Sequence, residues 1–158
     1  MNKKGFSTVE ILTVVGIIAI LSVVMSLSLS AAHSKSRDAK RLSDIRQLQT
    51  ALNLYLNEVG RYPIYITDDN FLLGTRATGT LATGLNQGFG SEPQGELLMP
   101  SVPADPKGNR GYYYKSDIDG LRYEIRFWFE NDNESNGCLK DTTCFATPTG
   151  ISPTDPAL

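Results

Sequence analysis

The stretch that decides the fold is MNKKGFSTVEILTVVGIIAILSVVMSLSL, residues 1–29. From Ile11 to Leu29 it holds 14 apolar side chains, and the other five positions are Thr13, Gly16, Ser22, Ser26 and Ser28. No Lys, Arg, Asp or Glu occurs between Glu10 and Lys35. About 20 helical residues, each rising ~1.5 Å, cross the ~30 Å hydrocarbon layer of a bilayer. The run is long enough to span a membrane. A secretory signal has an apolar core of only ~7–15 residues. Ser30-Ala31-Ala32 would serve as its cleavage site, so a released domain stands as one alternative. The length of the run and the carboxylate at its start favour a retained helix.

That carboxylate, Glu10, constrains the reading further. An Asp at the bilayer centre costs roughly 2.5–3.5 kcal/mol, and an acid nearer the interface costs less. Glu10 lies four residues beyond Phe6, only ~6 Å deeper along a helix, so it reaches headgroups while the molecule is alone. Buried in a protein bundle it needs a cation. The basic groups nearby are Lys3 and Lys4, or a new α-amine if the chain is cut before Phe6. A self-pair is awkward on a rigid rod, whereas the amine of a neighbouring molecule, offset along a bundle, meets Glu10 well. This is assembly chemistry. The alternative is a chance acid at the edge of a generic anchor.

The string Gly5-Phe6-Ser7-Thr8-Val9-Glu10, followed by the apolar run, resembles the type III signal of the type IV pilin and pseudopilin family. The resemblance implies cleavage between Gly5 and Phe6 by a prepilin peptidase, N-methylation of Phe6, and Glu10 as the acid that guides subunit docking. It implies a helical homopolymer of the chain itself, assembled by pilus or secretion machinery in the membrane. It also bears on orientation. Lys35, Arg37, Lys40 and Arg41 outnumber Lys3 and Lys4, and the charge count alone favours an outside N-terminus. Two cysteines near the C-terminus favour the opposite, an oxidising compartment for the head. Family membership places the leader in the cytoplasm, the precursor as a single pass in the bacterial cytoplasmic membrane, and the filament outside or in the periplasm. Many members carry a Pro about 22 residues into the mature helix, where this chain has Leu27. Proline kinks a helix; without it, local melting relies on Gly16, Ser22, Ser26, Ser28 and Ser30.

Beyond the apolar run, Ala39, Leu42, Ile45, Leu48, Leu52, Tyr55 and Val59 recur at steps of three or four, the mark of an amphipathic helix. Gly60 and Pro63 supply the stop. Phe6 to Val59 reads as one spine helix of about 54 residues, near 80 Å. Its stripe is expected to pack on a sheet. Arg37, Asp38, Lys40, Arg41, Asp44 and Arg46 read as a solvated juxtamembrane face; a membrane-surface or DNA patch is the alternative, diluted by the two Asp. The run Arg37–Leu52, closed by Gly60-Arg61-Tyr62-Pro63, also resembles the corresponding segment of pseudopilin-type subunits.

Ile64 to Pro106 is rich in Gly, Thr and Pro and reads as a connecting region with a short helix near Glu96–Met99. Gly74 to Gly90 reads as an exposed mobile loop, a linker or a variable binding surface. Pro103-Ala104-Asp105-Pro106 resembles the major-pseudopilin pattern. Two strands follow, Tyr112–Ser116 and Leu121–Glu130, joined by a turn at Asp117-Ile118-Asp119-Gly120. In the second, Leu121, Tyr123, Ile125, Phe127 and Phe129 alternate with Arg122, Glu124, Arg126, Trp128 and Glu130, as a one-sided antiparallel sheet requires. Arg122, Glu124 and Arg126 are expected in solvent, with Trp128 at an interface or shielding the sheet edge.

Cys138 and Cys144 lie six apart and read as a disulfide closing a small loop, worth about 2–3 kcal/mol; a catalytic thiol lacks a histidine, since His33 sits by the membrane. The oxygen-rich loop Asn131–Asn136 reads as a solvated turn, with calcium ligation as the alternative, though EF-hand spacing is absent. One His and two Cys leave no triple-histidine or four-ligand zinc site. The chain of 158 residues is 41% hydrophobic and 20% charged, with a net charge of −2, which argues against a general polyanion binder. No convergent acid, base and nucleophile appear, so the reading is a non-enzymatic chain without cofactor, and the sequence identifies no nucleic-acid or small-molecule ligand for it.

The expected class is α+β: a long spine helix packed on a small antiparallel sheet. The expected division is a leader at 1–5, a polymerisation helix at 6–34, its amphipathic half at 35–60, a connecting region at 61–110, and a sheet with a disulfide loop at 111–158. The function implied is a structural subunit of a type IV pilus-like filament, serving adhesion, motility or DNA uptake. The alternatives are a type II secretion pseudopilin or a membrane-anchored receptor that does not polymerise.

Overall fold

The computed structural model describes residues 5–65, 71–75, 78–83, 88–92 and 95–156, with the side chains of residues 26–28 outside the description. Expectations for Lys3 and Lys4, for the side chains of Ser26, Leu27 and Ser28, and for 76–77 and 84–87 of the Gly-rich loop fall outside the described residues.

One helix, α1, runs Thr8–Val59. Ser7 opens it, its carbonyl accepting the N–H groups of Glu10 and Ile11 at 3.0 and 3.2 Å. Gly60 closes it at φ 81°, its N–H returning to the Leu56 carbonyl at 2.8 Å. That left-handed turn is open to glycine at low cost. The chain divides into two compact units, one ending at Ser36 and one beginning at Arg37. In the first, every described side chain from Phe6 to Met25 is exposed.

The second unit is built on the rest of α1. Ile45, Leu48, Leu52 and Tyr55 are buried and share one core with Tyr112, Tyr114, Tyr123, Ile125, Phe127 and Phe129. Ala39 and Leu42, expected on this stripe, leave it: Ala39 is exposed and Leu42 half-buried. At 3.6 residues per turn, the row through Arg41, Ile45, Leu48 and Leu52 faces the sheet, and Ala39 has rotated to another side.

Four short strands lie in the stretch expected to be a plain connection. They are β1 (Phe71–Leu72), β2 (Thr80–Ala82), β3 (Phe89–Gly90) and β4 (Leu97–Met99). β4 replaces the expected short helix, because Leu97 and Met99 pair with Ala82 and Leu81 of β2. Next come β5 (Tyr113–Ser116), β6 (Tyr123–Trp128), β7 (Thr143–Thr147) and β8 (Gly150–Ser152). They form a five-stranded antiparallel sheet in the order β1-β5-β6-β7-β8, beside a three-stranded sheet ordered β3-β2-β4. The architecture is the expected α+β, a long N-terminal helix followed by small antiparallel sheets.

The β5–β6 hairpin turns at Asp117–Gly120 as its composition predicts, with Tyr113 opposite Arg126 and Ser116 opposite Tyr123. The Asp117 carboxylate accepts the N–H of Leu121 at 2.7 Å and of Arg122 at 3.1 Å. Leu121 therefore belongs to the turn and is 65% exposed, not on the apolar face. Tyr123, Ile125, Phe127 and Phe129 are buried as the alternation requires. Glu124 departs from it. Facing Lys115 across the ladder, with Arg126 Nε at 3.3 Å, it is buried, and burial raises its pKa.

Aromatic rings close the end of the core near the helix C-terminus. Tyr65 stacks on Phe71 at 3.9 Å, Phe89 meets Tyr114 edge-on at 5.2 Å, and Tyr62 meets Tyr123 at 4.7 Å. The Tyr114 hydroxyl donates to the Pro63 carbonyl at 2.8 Å, tying the chain just past α1 to the sheet.

Candidate functional site

Phe6 is 79% exposed, and the most apolar 18-residue window of α1 has a mean hydropathy of 2.6 with none of it buried. Exposed apolar surface on this scale marks a membrane or protein contact. Two polar residues along it bond back to the helix: Thr13 donates to the Glu10 and Val9 carbonyls at 2.9 and 3.1 Å, and Ser22 to the Ile18 carbonyl at 2.8 Å. Such back-bonding makes a polar side chain tolerable in hydrocarbon. Glu10 is exposed and makes no ion pair among the described residues. Gly5 and Phe6 precede the first helical turn, and Phe6 carries no described tertiary partner.

A second feature lies in the other unit, where sequence reading placed a solvated face. Arg41 is completely buried. Its guanidinium grips Asp105 with two bonds, Nε to Oδ2 at 2.6 Å and Nη2 to Oδ1 at 3.0 Å. Its Nη1 donates to Asp38 and to Glu130, both at 2.8 Å. Arg37 forks onto Glu130 with two bonds of 2.7 Å, and Lys107 reaches the same carboxylate at 3.2 Å. Asp38 accepts the backbone N–H groups of Glu130 and Asn131 at 2.9 Å each, and the Asn131 amide at 2.7 Å. Three cations thus balance three carboxylates. Paired and bidentate, these groups recover much of the cost of leaving water. Burial works against the charged form of Arg41, but its bonds to Asp105, Glu130 and Asp38 outweigh that and raise its pKa. The Arg37 hydrogen bonds, followed by those of Arg41 and Lys107, hold the Glu130 carboxyl well below the usual carboxylate range against the opposing effect of burial.

Asp44 is also buried, accepting from Lys40 at 3.1 Å and from the Tyr112 hydroxyl at 3.1 Å. The expected solvated face therefore holds only for part of the group: Lys40 and Arg46 are exposed, Arg41 and Asp44 are not. The cluster joins the helix to the Pro103-Ala104-Asp105-Pro106 turn and to the end of β6. It clamps. The i,i+3 spacing of Asp38 and Arg41 was the available signal, but composition alone cannot tell a buried pair from a surface pair.

Cys138 and Cys144 form a disulfide with Cα atoms 6.0 Å apart, and both are buried. In the oxygen-rich loop before it, Asp132 accepts the Lys140 N–H at 2.8 Å and Asn133 the Asn136 amide at 3.1 Å. Trp128 is half-buried, edge-on to Tyr113 at 5.7 Å. His33 is exposed.

One long, exposed, apolar N-terminal helix followed by small antiparallel sheets is a pilin-like α+β arrangement. The chain is similar to the type II secretion system core protein G of Escherichia coli (strain K12), 29% identical over 108 residues, covering 68% of this chain and 69% of that protein. No protein-family model matches the chain, and no solved structure matches it significantly.

Proposed function

We propose that the chain is the structural subunit of a type IV pilus-like filament. It is made as a single-pass precursor in the bacterial cytoplasmic membrane with its N-terminus cytoplasmic. A prepilin peptidase cuts between Gly5 and Phe6, the new Phe6 amine is methylated, and assembly machinery in the membrane polymerises the subunit into a periplasmic or extracellular fibre. In this reading 1–5 is the leader, 6–34 the polymerisation helix, 35–60 its amphipathic half, 61–110 the connecting region, and 111–158 the sheet with its disulfide loop. The observation that carries the reading is an apolar helix with no burial of its own and one carboxylate, Glu10, without an ion-pair partner among the described residues. Packing against other copies covers the helix, and a sister molecule's α-amine neutralises Glu10.

A second reading, a type II secretion pseudopilin forming a short periplasmic fibre, is favoured by the similarity to core protein G. Electron microscopy of sheared surface material separates the two, since only a surface pilus yields long fibres. Mass spectrometry of the mature N-terminal peptide tests what they share. The expected product begins at Phe6 and carries one added methyl group, and Gly5→Val yields a chain that begins at Met1. Working fibres whose subunits still begin at Met1 overturn both readings.

A further inference from the structure

A groove of about 670 Å³ runs along the second unit between the side of α1 and the chain leaving β4. Leu42, Arg46, Thr50 and Leu54 line one wall, and Leu98 and Pro100 the other. These helix positions stand at successive steps of four, so the wall is a single ridge about 18 Å long. Leu54 is 47% exposed and Leu42 and Leu98 are half-buried, which leaves a mostly apolar surface uncovered. Arg46 is the charged residue in its lining. Unlike Arg37, Lys40 and Arg41, it has no ion pair among the described residues.

The same chain carries a complementary shape. Phe6 to Met25 is an exposed apolar rod whose one charged side chain is a carboxylate, Glu10, without an ion pair among the described residues. A rod and a groove on different parts of one molecule make a heterologous contact, which extends into an open helical polymer where the rotation does not close a ring.

We infer that the groove receives the N-terminal helix of a second copy, with that copy's Glu10 against Arg46; this rests on the filament reading above. A carboxylate accepts several hydrogen bonds, so the guanidinium adds to an α-amine and does not replace it. With the two helices parallel, the pairing shifts one copy along the other by about 36 positions, roughly 54 Å. Phe6 of the incoming helix then lies beside Leu42, and Ile18 beside Leu54.

The test uses the full-length precursor expressed with its peptidase and assembly machinery, in cells making no other copy. An Ile18→Cys, Leu54→Cys double variant is assembled into fibres and oxidised; the native cysteines are already paired and buried. Covalent ladders of subunits are expected from the double variant and not from either single one. Fibres that form without ladders, equal ladders from a Val14→Cys, Leu54→Cys pair, or Leu54→Cys trapping some other polypeptide overturn the docking while leaving the filament reading intact. As a second measurement, Arg46→Glu is expected to lower fibre yield by roughly tenfold or more, with Arg46→Lys close to wild type and subunit levels in the membrane unchanged. Normal yield from Arg46→Glu overturns it too. Failure of the wild-type chain to make fibres at all removes the filament reading and the docking together.

Discussion

Arg41 shows how one side chain sets the value of its neighbours. Asp38, Asp105 and Glu130 converge within 2.8 Å of its guanidinium, and without it their charges repel in a poorly solvated space. Removing one member of a buried ion network leaves the others uncompensated, at a cost of about 3–5 kcal/mol. Arg41→Ala in detergent-solubilised full-length protein is accordingly expected to lower the thermal midpoint sharply. Arg41→Lys keeps the charge but loses the fork and falls between the two. An unchanged midpoint for Arg41→Ala would show that the cluster contributes nothing. Glu130 adds a pH dependence whose sign is fixed by its depressed pKa. An unfolded glutamate titrates near 4.3. The stability Glu130 contributes is thus complete above that value and is lost as pH falls below it towards the folded pKa. The urea midpoint is expected to hold steady from about pH 8 to 5 and to fall below about pH 4. Glu130→Gln should start lower and lose less on acidification. A variant with the wild-type acid limb contradicts this assignment.

Among the elements, periodic ones were legible in the residues and short ones were not. The 3.6-residue stripe of α1 and the two-residue alternation of β6 each extend over enough positions to be read, and both pack as read through Ile45, Leu48, Leu52, Tyr123, Ile125 and Phe127. Strands β1 to β4 are two or three residues each, too short to carry any period, and their pairing is decided by tertiary contacts such as Leu81 opposite Phe89 and Met99. The buried charges were hidden for a different reason. Asp105 and Glu130 meet Arg41 across 64 and 89 positions of chain, and nothing local distinguishes them from solvated residues. The disulfide loop was legible because two cysteines leave one pairing. Its position gives it more to hold than its own turn: Cys144 sits in β7 opposite Phe127, and the segment leading into the loop begins at Asn131, which is bonded to Asp38. Cys138→Ala with Cys144→Ala is expected to cost about 2–3 kcal/mol by loop entropy, read as a lower urea midpoint with the slope unchanged. A midpoint within error of wild type would mean that the sheet and the Asp38 contacts hold the loop unaided.

At the scale of the whole molecule the two units ask for opposite surroundings. The second carries a closed core with its buried charges paired. The first offers apolar surface that is exposed at every described side chain from Phe6 to Met25, a surface suited to lipid or to other helices. Moving it from lipid into a bundle of copies changes little in hydrophobic terms, because acyl chains are as apolar as leucine side chains. What separates bilayer from fibre is then polar. On the filament reading proposed above, Glu10 would reach headgroup water in the one and need a cation in the other, which would make it set the register of assembly and not the affinity for membrane. Glu10→Val makes the helix more apolar and is expected to leave insertion at or above wild-type level. Without the charge that fixes the axial offset, fibre yield should fall to background in cells producing no other copy. Glu10→Asp, one methylene shorter, should recover part of it, and mixing with the wild-type chain should admit the variant to fibres in a minority. Membrane fractions probed for subunit and sheared fractions probed for fibre read the two steps apart. Loss of subunit from the membrane would assign Glu10 to insertion, and full fibres from Glu10→Val alone would leave assembly to packing of the apolar surfaces.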